Sequence, residues 1–176
     1  FFTFHNGAVC VFDDQKTTFI GKPGVSFFSD TLKLPTPDRA TIQFQARASY
    51  GLQITFAVDK TDKPETIYQI VIGAQNNTQT TIKKDPSSTS SAIFTAYKLG
   101  NSPLSNTIIN PHAIVTGGLG DENNPIGEWD DYALSIYDGK IVFEKGFEET
   151  KFTIFEFTDP TPIKNISYVG FGGLGN

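Results

Sequence analysis

The sequence predicts an all-β fold, a single antiparallel β-sandwich or jelly roll spanning residues 1–176. Three observations carry this expectation. Short strand-like runs recur along the whole chain, with Gly, Pro, Asn and Asp at the breaks between them. Phe is abundant, at 16 of 176 residues, and aromatics reach 13%; aromatic and β-branched side chains suit pleated, half-buried surfaces and dominate core energetics. No stretch sustains a 3.6-residue apolar period, although Ser87–Lys98 has room for a short helical turn. The length supports one domain with a sizeable core, and no linker divides it.

The expected strands, in order, are Ala8–Phe12, Thr17–Ile20, Val25–Ser29, Ala40–Ala48, Leu52–Val58, Ile67–Ile72, Thr78–Lys83 and Ala92–Tyr97. After an irregular stretch come Tyr132–Tyr137, Lys140–Glu144, Phe152–Phe157 and Ile166–Phe171. Alternation is plainest in Thr41-Ile42-Gln43-Phe44-Gln45-Ala46-Arg47. Period 2 sends Ile42, Phe44 and Ala46 to a core and the polar set to water. Tyr137-Asp138-Gly139-Lys140 reads as a hairpin, because Asp-Gly tolerates the positive φ angles of a type I′ turn. Tyr68–Lys84 reads as strand, turn, strand around Asn76-Asn77-Thr78. Ser49-Tyr50-Gly51 is expected to join the strands on either side of it as a pair. The segment 100–128 carries Pro103, Pro111 and Pro125 and little strand pattern, with a short strand expected around Ala113–Val115. Loops of this length in compact domains usually serve function.

Charge and composition exclude several classes. The net charge is −5 with Lys and Arg scattered, so there is no basic stripe to displace counterions from nucleic-acid phosphates. No apolar run approaches about 18 residues, the length of a membrane span. The chain begins Phe1-Phe2-Thr3-Phe4 and contains no Met, as a processed mature form would. Two N-glycosylation sequons, Asn76-Asn77-Thr78 and Asn165-Ile166-Ser167, agree with a secreted, extracellular glycoprotein. Asn76 and Asn165 are therefore the candidate glycosylation sites; a sequon on a buried strand face would stay bare, and Asn165-Ile166-Ser167, where the strand Ile166–Phe171 is expected to begin, is open to that alternative. The one cysteine, Cys10, sits in the apolar run Ala8–Phe12. That is the setting of an inert buried thiol; an intermolecular bridge or an attachment point is the alternative.

The catalytic inventory is thin. His5 and His112 stand outside any metal-ligand spacing, and there is no nucleophile elbow. Gly117-Gly118-Leu119-Gly120 and Gly172-Gly173-Leu174-Gly175 lack the strand-before, helix-after setting of a phosphate loop, and read as turns or bulges. The acidic stretch from Asp121 to Asp131 is the richest candidate. Its oxygen groups suit Ca²⁺ without matching an EF-hand. The sole tryptophan, Trp129, lies among them. A sugar-stacking platform is the sharper reading: Trp129 and Tyr132 as rings, with Asp121, Asn123, Asn124 and Asp130 accepting hydroxyl hydrogen bonds. The plainer reading is a solvated loop with Trp129 packed inside.

Three stretches carry a family resemblance: IYQIVIGAQNNTQTTIKK, YALSIYDGKIVFEKG and FEFTDPTPIKNISYVGFGG. In this order they resemble the farnesoic acid O-methyltransferase domain, over about residues 40–173. Tyr132 and Ile136 stand where the family usually carries tryptophans near the Asp-Gly turn, and Phe157 replaces the Trp before Thr158-Asp159. The resemblance implies a β-sandwich similar to lectin-like modules of secreted animal proteins, arthropod ones in particular. The family name implies methyl transfer to a terpenoid acid. The residues lack the glycine-rich strand-to-helix loop of S-adenosylmethionine enzymes, which favours binding over catalysis. The leading expectation is a secreted, non-catalytic carbohydrate-binding domain. The alternative is a structural, storage or carrier protein whose Phe-rich interior holds a small apolar ligand or pigment, with self-association into a homo-oligomer open in either case.

Overall fold

The computed structural model describes residues 2–6, 9–13, 27–46, 52–60, 67–74, 79–84, 91–97, 130–146 and 152–173. Every named element among them is a strand: β1 (Phe2–Asn6), β2 (Val9–Asp13), β3 (Phe27–Lys33), β4 (Arg39–Ala46), β5 (Leu52–Ala57), β6 (Ile67–Gly73), β7 (Gln79–Lys84), β8 (Phe94–Tyr97), β9 (Asp130–Tyr137), β10 (Lys140–Lys145), β11 (Phe152–Thr158) and β12 (Tyr168–Gly173). They form two six-stranded antiparallel sheets. The first has the order β11-β10-β9-β4-β1-β2 and the second β3-β12-β5-β6-β7-β8.

The sheets pack face to face through one apolar cluster. Ile42 and Phe44 of β4, Leu134 and Ile136 of β9, and Phe143 of β10 meet Ile54, Phe56, Ile70, Ile82 and Phe171 of the second sheet. Phe44 lies edge-on to Phe171, with centroids 5.1 Å apart, and Phe94 lies 5.1 Å from Phe155. These ring pairs tie the sheets together across the interior. The alternation in β4 does as expected: Ala40, Ile42 and Phe44 are buried, while Thr41 and Gln43 are half-buried on the other side. All six residues of β5 are buried, because Gln53 and Thr55, which face away from the core, are covered as well.

Several expectations shift. The strand β1 goes unseen in the sequence. The strand expected at Ala92–Tyr97 is present as Phe94–Tyr97, with no helical turn in residues 94–97. Gly172 and Gly173 close β12, paired with Gln53 and Leu52, instead of forming a turn. The strands flanking Ser49–Gly51 are not a pair: β4 is hydrogen-bonded to β1 and β9, and β5 to β6 and β12. Both edges of β4 are taken within its own sheet, so the chain changes sheets there. The expected strands at Thr17–Ile20 and Ala113–Val115 lie outside the described residues.

The β9–β10 hairpin closes on Asp138 (φ 49°) and Gly139 (φ 94°), the two positive φ angles that an Asp-Gly turn supplies. The β6–β7 hairpin is also as expected, with Ile72 opposite Thr80; its tip at 75–78 is outside the described residues.

Candidate functional site

Two polar constellations stand out, one inside the sandwich and one on its surface. The inner one begins with Asp159, just past the end of β11, where Pro160 and Pro162 have no N–H to continue a ladder. Its Oδ1 accepts the Thr161 N–H at 2.9 Å, a local turn typical of Asp. Its Oδ2 accepts the Tyr68 hydroxyl at 2.6 Å and pairs with Lys84 Nζ at 2.7 Å. The Tyr68 oxygen in turn accepts the Ile163 N–H at 3.0 Å, and Lys84 also donates to the Thr161 carbonyl.

Burial, and then the bond to Asp159, push the Tyr68 phenol well above its ordinary range. Burial alone would raise Asp159; the combined hydrogen bonds from Lys84, Tyr68 and Thr161 outweigh it and hold the carboxyl below its usual range. Both shifts carry ionisation away from neutrality, the reverse of what a general acid or base needs. With its acceptors occupied and only 5% of its surface exposed, Asp159 is a structural clamp between the sheets.

The outer constellation lies on the face of the first sheet turned away from the core. Cross-strand register aligns Arg39, Tyr137 and Lys140 in one row, and Thr41, Ser135, Val142 and Glu156 in the next; Gln43, Ala133 and Glu144 follow. Along β9 this face reads Asp131, Ala133, Ser135, Tyr137. Ala133 and Ser135 are short and buried between taller neighbours on β4 and β10. Ala133 and Ser135 are 1% and 8% exposed, so the accessible groups of this face gather at the Tyr137 end of β9, around the exposed pairs Arg39–Asp138 and Lys140–Glu156.

Tyr137 itself is 48% exposed. Ser135 Oγ and Thr41 Oγ1 are hydrogen-bonded at 2.8 Å. At the Tyr137 end, Arg39 Nη2 donates to Asp138 Oδ2 at 2.6 Å, and Lys140 Nζ lies 3.1 Å from Glu156 Oε2. The Arg39 bond holds Asp138 below the usual carboxylate range. The corresponding face of the second sheet is closed: Gln53, Thr55, Ala57, Ile67, Val71 and Thr81 are all buried there.

The expected sugar platform fares unevenly. Tyr132 is 4% exposed and stacks on Phe143 at 5.3 Å, so it has no ring face to offer a sugar. Parity explains this: residues 132, 134 and 136 point into the core, and the odd-numbered ones point out. Ile136 is likewise core, and Phe157 packs on Phe94 at 5.4 Å, so the positions where the resemblance expects tryptophan are filled here by packing residues. Asp130 opens β9 opposite Ala46. Asp121, Asn123, Asn124 and Trp129, and with them the expected Ca²⁺ loop, lie outside the described residues, as does Asn76. Among the described residues, no three His, Cys, Asp or Glu side chains gather as a metal site would require, and no helix is long and apolar enough to cross a membrane.

Cys10 lies on β2 opposite His5. Asn165 is not on a buried strand. It is exposed, in the connection before β12, which begins at Tyr168 rather than Ile166. The sequence does not single out Tyr137, Ser135 or Thr41. The usable signal was the hairpin parity: Asp138-Gly139 fixes Tyr137 opposite Lys140, and alternation then assigns each face.

Comparison with known proteins yields one family. The model for farnesoic acid O-methyl transferase matches residues 13–176, further toward the N-terminus than the resemblance at about 40–173. No curated protein sequence matches the chain. Among solved structures, the sandwich is similar to sheep galectin-11 in complex with glycerol, at 8% identity and a TM-score of 0.46, over 85% of this chain and 90% of the galectin.

Proposed function

The chain belongs to the farnesoic acid O-methyltransferase domain family, and within that frame we propose that it is a secreted, non-catalytic module that binds carbohydrate on the outer face of its first sheet. The observation that carries this reading is the exposed Tyr137 ring at the end of β9, flanked by the exposed pairs Arg39–Asp138 and Lys140–Glu156. Sugars are recognised by an aromatic face against their C–H groups and by planar or hydroxyl groups exchanging hydrogen bonds with their rims. Tyr137 supplies an exposed ring, and Arg39, Asp138, Lys140 and Glu156, exposed around it, supply the donors and acceptors.

Arg39 is paired with Asp138 and Lys140 with Glu156, so charge largely cancels beside the ring, which favours a neutral glycan over an anionic one. Asp121, Asn123, Asn124 and Trp129 precede β9 in the chain and are retained as candidates for the same ligand. The interior offers a carrier less: Phe44, Tyr132, Phe143 and Phe155 fill it in mutual contact. Methyl transfer gains no support from the one buried acid–phenol pair described, whose protons are locked in place.

The test is a neutral-glycan array followed by calorimetry on the best binder. Tyr137→Ala should weaken binding at least tenfold while leaving the melting temperature within a few degrees. Undiminished affinity in that variant would move the site off this face. Loss on Trp129→Ala as well would extend the site to the loop.

A further inference from the structure

We propose that Asn165 is an N-glycan acceptor in the folded protein, independently of what the sheet face binds. Three non-glycine residues of the described chain adopt left-handed backbone: Asp38 (φ 62°), Asp138 (φ 49°) and Asn165 (φ 64°). Asp and Asn tolerate that conformation better than other side chains, so conformation alone accounts for an Asx residue at each. The side chains then part company. Asp38 uses both carboxylate oxygens, accepting the Asn165 N–H at 2.9 Å and the Ile166 N–H at 2.8 Å. Asp138 binds Arg39. The Asn165 side chain is exposed and makes no hydrogen bond to any described residue.

Its surroundings hold it out. Ile166 is fully buried. The Ile166 carbonyl accepts the Asp38 N–H at 2.9 Å, and the Ser167 carbonyl accepts the Leu34 N–H at 2.7 Å. Ser167 Oγ donates to the Asn165 carbonyl at 2.9 Å, completing the Asn-x-Ser pattern in an irregular, solvent-facing segment. The backbone is pinned and the amide is free, so a bulky glycan can be carried without disturbing the core.

In the transfer, the Asn165 amide nitrogen bonds to C1 of the reducing-end N-acetylglucosamine of a lipid-diphosphate-linked oligosaccharide. The C1–O bond to the diphosphate breaks, the diphosphate leaves with that electron pair, and a base of the transferase takes one amide proton.

The experiment expresses the chain in insect cells behind a cleavable signal peptide and maps its peptides before and after peptide N-glycosidase in ¹⁸O water. Both the secreted and the cell-retained fractions are analysed, since transfer precedes export. The wild type should show Asn165 converted to ¹⁸O-labelled Asp. Ser167→Thr should keep the modification and Ser167→Ala should lose it. Asn165→Gly, which retains the left-handed backbone, should shed the same mass without loss of folding. A bare Asn165 in both fractions overturns the proposal, whatever the state of Asn76. So does a modification that survives Ser167→Ala.

Discussion

The Tyr68 hydroxyl donates a 2.6 Å hydrogen bond to Asp159 Oδ2, joining β6 of the second sheet to the chain leaving β11 of the first. Neither end of this bond is exposed to water. Removing the hydroxyl with Tyr68→Phe leaves the Ile163 N–H without its acceptor and Asp159 with one donor fewer. The expected loss is about 1–3 kcal/mol, read from the urea midpoint at unchanged slope. Combined with Asp159→Asn, the two losses should fall short of additive by about 0.5 kcal/mol or more. Strict additivity would show that the two side chains do not act as a unit.

The same carboxylate makes stability depend on acid. Its folded pKa is lowered, so its contribution is complete above the unfolded value of about 4. The contribution is lost as pH falls through the lower folded value. Urea midpoints followed from pH 5 down to pH 2 should decline more steeply in the wild type than in Asp159→Asn. Equal slopes would assign acid sensitivity to other groups.

Gly139 has no room for a side chain. A Cβ there would meet Pro162 Cβ at 2.3 Å, and its φ is +94°. Gly139→Ala therefore carries both a clash and backbone strain, and should destabilise by more than about 1 kcal/mol. Asp138→Asn keeps the turn and loses a pair exposed to solvent, so its melting temperature should barely move. Thermal melts of the two variants separate these cases, and an Ala variant as stable as the Asn one would mean that the turn relaxes freely.

Phe143 is fully buried and contacts both Tyr132 and Phe155. Phe143→Ala should cost about 3–5 kcal/mol, measured by denaturant unfolding. A loss below 1 kcal/mol would indicate that the neighbouring rings collapse into the space.

Much of the strand set was legible because local rules agree with the fold. The alternation of Ile42 and Phe44 and the Asp138-Gly139 turn each report a neighbourhood a few residues wide. The sheet order was not legible, since β4 and β9 pair across the long segment between them and nothing in either strand names the other. Lys84 and Tyr68 lie far in the chain from the Thr-Asp-Pro-Thr-Pro segment they grip, so the clamp left no local signature. Tyr132 shows the sharpest failure. As an aromatic beside an acidic loop it resembles a sugar platform, yet it and Tyr137, five residues on, have opposite parity, so Tyr132 faces the core and Tyr137 faces water.

The long reach from β4 to β9 has a consequence during synthesis. About eighty residues separate the two strands, so at roughly 5–20 residues per second β4 emerges on the order of ten seconds before its partner. A strand waiting that long with two open edges invites pairing with another chain. The β1–β2 hairpin has already left the ribosome by then, and β1 can take one edge of β4 at once. The first thirteen residues thus halve the exposed template while β9 is still being made.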